Sequence, residues 1–124
     1  MIYTAQYRYS GQDRIDITVK SNDPVGKLYA PTWDMVMGLK KGKITEDQYT
    51  QKYYEVLCNR WENKDYRDTT LRLVDMVTTG SQSVGHPRDI TLVCFCPAWS
   101  FCHRYLLVKW LVHNWQVLYG GERD

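Results

Sequence analysis

Long apolar runs are missing from this chain. No segment reaches the roughly 18 uninterrupted apolar residues of a membrane-spanning helix, so no membrane association is expected. The opening residues, MIYTAQYR, lack a basic region followed by an apolar one, and a secretory leader is not expected either. A surplus of charge is absent too: sixteen Lys and Arg stand against fourteen Asp and Glu, leaving a formal charge of +2. No global field therefore draws the chain to nucleic acid or to anionic lipid, and any anion must be held locally. Internal repeats, low-complexity tracts and linkers are missing as well. With 124 residues, 44% hydrophobic and 24% charged, one domain spanning residues 1–124 is expected, with a core of its own.

Aromatic residues are in surplus. Ten tyrosines, five tryptophans and two phenylalanines make up 14% of the chain, and such side chains serve both cores and ring-stacking surfaces. Of the four cysteines, Cys94, Cys96 and Cys102 fall within nine positions. That bunching points to reduced thiols or ligands in a cytoplasmic protein, rather than to a disulfide framework.

Patterning gives the order of elements. Tyr3, Ala5, Tyr7 and Tyr9 alternate with polar residues, as do Ile15, Ile17 and Val19 after the turn-like 10–13, which predicts a hairpin. Thr32 caps a short helix starting at Trp33, limited by Gly38 and Gly42. Thr45 and Gln48 form a capping box, with Ile44 and Tyr49 at staple positions. Tyr49, Tyr53, Val56, Leu57 and Trp61 then follow at helical spacing. A further helix is predicted over 66–79, an apolar strand over 90–95, a buried helix over 101–115, a short strand over 116–119 and a polar tail beyond it. The fold expected is a single compact α/β domain: a mixed sheet with helices packed on it, and the loop after the apolar strand at that strand's carboxyl end.

That loop, in Cys94-Phe-Cys96-Pro-Ala-Trp99-Ser100-Phe-Cys102-His103-Arg104, concentrates the chemistry. It runs into a helix N-terminus, where amides without carbonyl partners favour an anion or a thiolate. Three readings follow. A phosphate-bearing ligand, a nucleotide or nucleic acid, would be held by the amides with Arg104 and His103, while Trp99 stacks on a base and Cys96, Ser100 and Cys102 complete the contact. A thiol enzyme would use Cys102 as nucleophile with His103 as acid or base. A zinc site would draw on Cys94, Cys96, Cys102 and His103, although structural zinc sites usually take ligand pairs from two segments. Against these stands a plain structural role, with His103 and Arg104 capping carbonyls and pairing with carboxylates. No cofactor is expected, and Cys96 to Cys102 lacks the arginine that a phosphatase loop would carry. Weaker features are the Tyr7-Arg8-Tyr9 interleaving, the lone Asp16 and Asp34, and the basic run at Lys40, Lys41 and Lys43. A tyrosine-rich docking surface for a host protein is the remaining class.

The run Thr91-Leu-Val-Cys-Phe-Cys96, then Cys102-His103-Arg104 opening an apolar helix, resembles the small bacterial and phage domains of domain-of-unknown-function family 488. The resemblance implies a compact α/β fold with a Cys-His-Arg pocket and an involvement with nucleotides or nucleic acids. Members carry an early Asp-Val-Arg element; the nearest match here, Asp16-Ile17-Thr18, has no arginine. The short chain is similar to phage-encoded versions. That implies an accessory protein in the host cytoplasm, sequestering a nucleotide signal or interfering with a host enzyme.

Overall fold

A computed structural model describes residues 1–82 and 85–123. Four strands, β1 (Ile2–Gln6), β2 (Arg14–Asp16), β3 (Ile90–Cys94) and β4 (Tyr119–Arg123), form one sheet in the order β2-β3-β1-β4. All three pairings are parallel. The helices are α1 (Trp33–Lys40), α2 (Glu46–Asn59), α3 (Lys64–Thr78) and α4 (His103–Trp115). Among the described residues no helix is long and apolar enough to cross a membrane.

The expected hairpin does not form, and the sheet is parallel rather than mixed. β3 is buried at every position, and a strand apolar on both faces belongs in the sheet interior. It lies between β1 and β2 and pairs with both. The connection from β1 to β2 loops back over β3 and is tied by local bonds. Tyr9 Oη donates to Asp13 Oδ1 at 2.6 Å, and the Arg14 guanidinium donates to the Tyr7 and Tyr9 carbonyls at 3.0 Å each. Asp13 also reaches β3, accepting at 2.6 Å from Thr91 Oγ1.

The polar tail is a strand as well. β4 joins the free edge of β1, with Ile2 opposite Tyr119 and Tyr3 opposite Gly121, so that Gly120 is the extra residue of a bulge. A Cβ at Gly120 would strike the Tyr3 ring, and Gly121 has φ +105°. The two glycines of the expected polar tail are what let this edge pair.

The helices follow local signals closely. Thr32 Oγ1 accepts from the Met35 amide at 3.3 Å, and Thr45 and Gln48 complete their reciprocal box. Tyr49, Tyr53 and Leu57 on α2 and Tyr66, Thr70, Leu73 and Val77 on α3 are buried. They join Ile2, Ile17, Leu92, Leu107 and Leu111 in the core. Much of the aromatic surplus is here: Tyr29, Tyr53 and Tyr66 are at most 1% exposed, and the Tyr53 and Tyr29 hydroxyls bond to the Tyr29 carbonyl and Thr70 Oγ1 at 2.7 Å.

After β2 the chain crosses residues 17–25 and enters a short 3₁₀ turn at Gly26–Tyr29. Gly26 sits so close to β2 that a Cβ would collide with the Asp16 carbonyl, which is backbone and cannot swing aside. Gly26→Ala is expected to cost about 1–3 kcal/mol through this overpacking. The urea midpoint measures it, and an unchanged midpoint would contradict the packing described.

Candidate functional site

β3 delivers Cys94 to the carboxyl edge of the sheet, where the chain turns through residues 95–102 into α4. Ser100 closes the turn, its amide and Oγ both donating to the Pro97 carbonyl. Cys102 is the N-cap of α4, in extended conformation, and no side chain caps the first-turn amides. Here Cys94, Cys96 and Cys102 converge: their Sγ atoms all lie within 4.8 Å of one another. Sγ of Cys94 and of Cys102 are in contact, but the Cα atoms are 7.9 Å apart. That exceeds the roughly 7 Å that a disulfide can bridge without backbone movement, so the pair meets as two thiols at one centre.

His103 is buried, and its Nε2 lies 2.6 Å from the Ile17 carbonyl oxygen. A carbonyl only accepts, so Nε2 carries the proton and Nδ1 bears the lone pair, 3.8 Å from Cys102 Sγ. Burial pulls the ring's pKa down to about 4, against the opposing bond to Ile17, which keeps the imidazole neutral near pH 7. Burial also pushes the Cys96 thiol up, despite Arg104 and Lys40 nearby.

Arg104 points elsewhere. It is 0% exposed, and its guanidinium grips Glu122 on β4 by two bonds, Nη2 to Oε2 at 2.7 Å and Nε to Oε1 at 3.3 Å. Nη1 donates to Cys94 Sγ at 3.0 Å and to the Cys96 carbonyl at 2.9 Å, while Nη2 reaches the Pro97 carbonyl and Tyr105 Oη. This saturation by the protein's own acceptors differs from the anion-facing arginine expected from the sequence. A residue one position past His103 is rotated about 100° around the helix, and that rotation carries Arg104 toward β4.

A cavity of about 760 Å³ opens over the carboxyl ends of β2 and β3. Its deep end holds Cys94, Cys96, Cys102 and His103, and Asp16 also lines it. The cations on its wall are Arg14, Lys20 and Lys40. Exposed aromatic rings stand at its mouth: Phe95, 70% exposed, stacks on Tyr7 at 4.2 Å, and Trp33, 51% exposed, lies under Lys20 Nζ at 4.9 Å. Trp99 and Ser100 are not among the cavity's walls. The Trp99 ring is instead turned outward, 71% exposed, and stacked on Tyr105 at 5.8 Å.

Sequence reasoning therefore found the thiols and His103 but missed most of the rim. Tyr7 and Lys40 were signalled by the aromatic–cation interleaving and the basic run, whereas Arg14 reaches the cavity from the start of β2, Lys20 from the segment after it, Trp33 from the start of α1 and Phe95 from the turn after β3. Glu122 gave no signal, because nothing local marks a glutamate as an arginine's partner.

Comparison with known families agrees with this architecture. A family model described as "DUF488-N3a: Active DUF488-N3 subclade" matches residues 2–115. No curated protein and no solved structure matches the chain. The matched span runs from β1 to the end of α4, so Glu122 lies beyond it.

Truncating Arg104 should act first on stability. Arg104→Ala strands a buried carboxylate and is expected to cost about 3–5 kcal/mol, read from chemical denaturation. The ion pair also sets a pH dependence. Burial raises the Glu122 carboxyl, but the Arg104 hydrogen bonds and charge, with help from Thr4 and Tyr105, outweigh it and hold the group below its ordinary value. A carboxyl lowered on folding contributes stability fully above its unfolded value, and loses it as pH falls through the folded one. Stability should thus decline as pH drops through and below the ordinary glutamate range, and Glu122→Gln should flatten that slope. An equal slope in both proteins would be inconsistent with the pair.

Proposed function

The chain belongs to the DUF488 family, and from the site it carries we propose that it binds a nucleotide-type ligand, a flat ring bearing phosphate, in the cavity at the carboxyl edge of the sheet. The observation that carries this reading is the mouth: Tyr7, Phe95 and Trp33 line the cavity together with Arg14, Lys20 and Lys40. Large rings left exposed around a concavity are unfavourable in water unless a partner covers them. Stacking serves any base, and the cations serve a phosphate. Open parallel sheets take ligands at this edge.

Two other readings receive less support. Docking on a host protein is disfavoured because four of the ten tyrosines that suggested it, Tyr29, Tyr49, Tyr53 and Tyr66, are buried in the core, and the exposed Tyr7, Phe95 and Trp33 gather at the cavity. Nucleophilic attack by Cys102 is disfavoured because the residue is 4% exposed and its sulfur is in contact with Cys94.

Titration calorimetry with a panel of nucleoside mono- and diphosphates tests the proposal. Saturable one-to-one binding is expected, weakening as salt rises. Trp33→Ala should weaken it by about tenfold, since a stacked base contributes roughly 1–3 kcal/mol. No heat from any nucleotide at millimolar concentration, or equal affinity after Trp33→Ala, would remove it.

A further inference from the structure

We propose that Cys94, Cys96 and Cys102 form a binding site for one soft divalent metal ion of the zinc class, with its fourth coordination position open to the cavity. The inference does not rest on the nucleotide reading. It rests on the three sulfurs, and on what surrounds them.

Three Sγ atoms within 4.8 Å of one another need only the Cys94 and Cys102 sulfurs to part slightly to take the vertices of a tetrahedron whose metal–sulfur bonds are about 2.3 Å and whose edges are roughly 3.8 Å. All three residues line the cavity. Thiolate sulfur selects zinc-class ions over magnesium or calcium, which prefer oxygen. Two segments supply the ligands: Cys94 and Cys96 come from the end of β3 and Cys102 from the cap of α4. The objection that the motif is too local is thus met by the turn at residues 97–101, which brings Cys102 back onto the strand end.

The surroundings are those of a ligand set. Arg104 Nη1 donates to Cys94 Sγ at 3.0 Å and to the Cys96 carbonyl at 2.9 Å, so one buried guanidinium orients two ligand residues, as outer partners of metal ligands do. Cys102 sits at the positive end of α4, which stabilises a thiolate. His103 Nδ1, 3.8 Å from Cys102 Sγ, offers a lone pair to which the Cys102 thiol donates a hydrogen bond in the metal-free protein. On binding, each thiol releases its proton to solvent and its sulfur lone pair bonds the ion. Three protein ligands with one open position is the arrangement that zinc takes where it acts on a substrate, and here that position faces the space where a water or a ligand oxygen would complete it.

The test uses the full chain, prepared under thiol reductant, stripped of metal and titrated with cobalt(II) and then zinc(II). One cobalt per chain is expected, with intense thiolate-to-metal charge-transfer absorption that zinc abolishes by displacement. Zinc should protect three of the four cysteines from alkylation and leave the exposed Cys58 reactive. Cys96→Ser, at a half-buried position, should keep the circular dichroism of the parent and lose at least about tenfold in cobalt affinity, while Cys58→Ser changes nothing. Cobalt binding without the charge-transfer band would overturn the proposal. So would alkylation of all four thiols at rates that zinc leaves unchanged, unaltered affinity in folded Cys96→Ser, or a Cys94–Cys102 bridge that persists under reductant.

Discussion

One buried ion pair organises this molecule. Taking a guanidinium and a carboxylate out of water costs several kcal/mol per ion, and the pair returns that only when geometry is good and every other donor is satisfied. Arg104 meets the condition: two bonds to Glu122, and the rest of its donors shared among Cys94 Sγ, two loop carbonyls and a tyrosine hydroxyl. The consequence is topological. The last strand must stay on the sheet edge, because its departure would leave a cation stranded at 0% exposure. The loop after β3 must also keep its carbonyls where the guanidinium is. The end of β3, the start of α4 and the edge strand β4 are thereby fixed to one point.

Fixing that point is what shapes the cavity. The turn through Pro97 to Phe101 contains Trp99 in left-handed conformation at φ +62°, a backbone state that a bulky residue adopts only when its surroundings impose it. The constraint is visible: the Trp99 amide donates to Tyr105 Oη at 2.8 Å, the same hydroxyl that accepts from Arg104. With the turn held, Cys102 comes back against Cys94, and His103 reaches across to the Ile17 carbonyl just past β2. The consecutive residues Cys102, His103 and Arg104 thus make three separate attachments, to β3, to the segment after β2 and to β4. One motif closes one corner of the fold, and the hollow beside it is what remains.

How much of this the sequence reveals depends on the range of the forces involved. The capping box at Thr45, the buried stripe of Tyr49, Tyr53 and Leu57, and the apolar run from Ile90 are set by neighbours within a turn or a strand, and they read correctly. The hairpin failed because alternation shows which faces are half-buried but not which strand inserts between them. β3 was the better interior strand, and it took the place. The β4 strand failed for the opposite reason, since Gly120 and Gly121 are poor strand formers by propensity and are required only by the bulge. In the site, the thiols and His103 were legible because adjacent positions stay together in any fold. The roles of Arg104 and Glu122, and the ring of Tyr7, Trp33 and Phe95, depend on contacts between distant segments.

The pairing of Arg104 also decides how charge is distributed through the cavity. At the deep end the guanidinium is paired with Glu122 at 2.7 Å, and His103 is neutral; the guanidinium acts on the thiols through its hydrogen bond to Cys94 and its charge near Cys96. Uncompensated positive charge lies outward, on Lys20 and Lys40, where water screens it and where it draws anions in from solution. A phosphate-bearing ligand in the proposed site therefore has one favoured orientation. Its anionic end meets the cations of the wall, its ring lies among Tyr7, Phe95 and Trp33, and whatever it presents inward meets sulfur. An anion driven to the floor would find Asp16 on the wall, and the guanidinium there is already committed to Glu122, which leaves the anion's own desolvation poorly offset. The arginine that looks in sequence like the anion ligand serves by being withheld, because its commitment to Glu122 leaves the floor to the thiols.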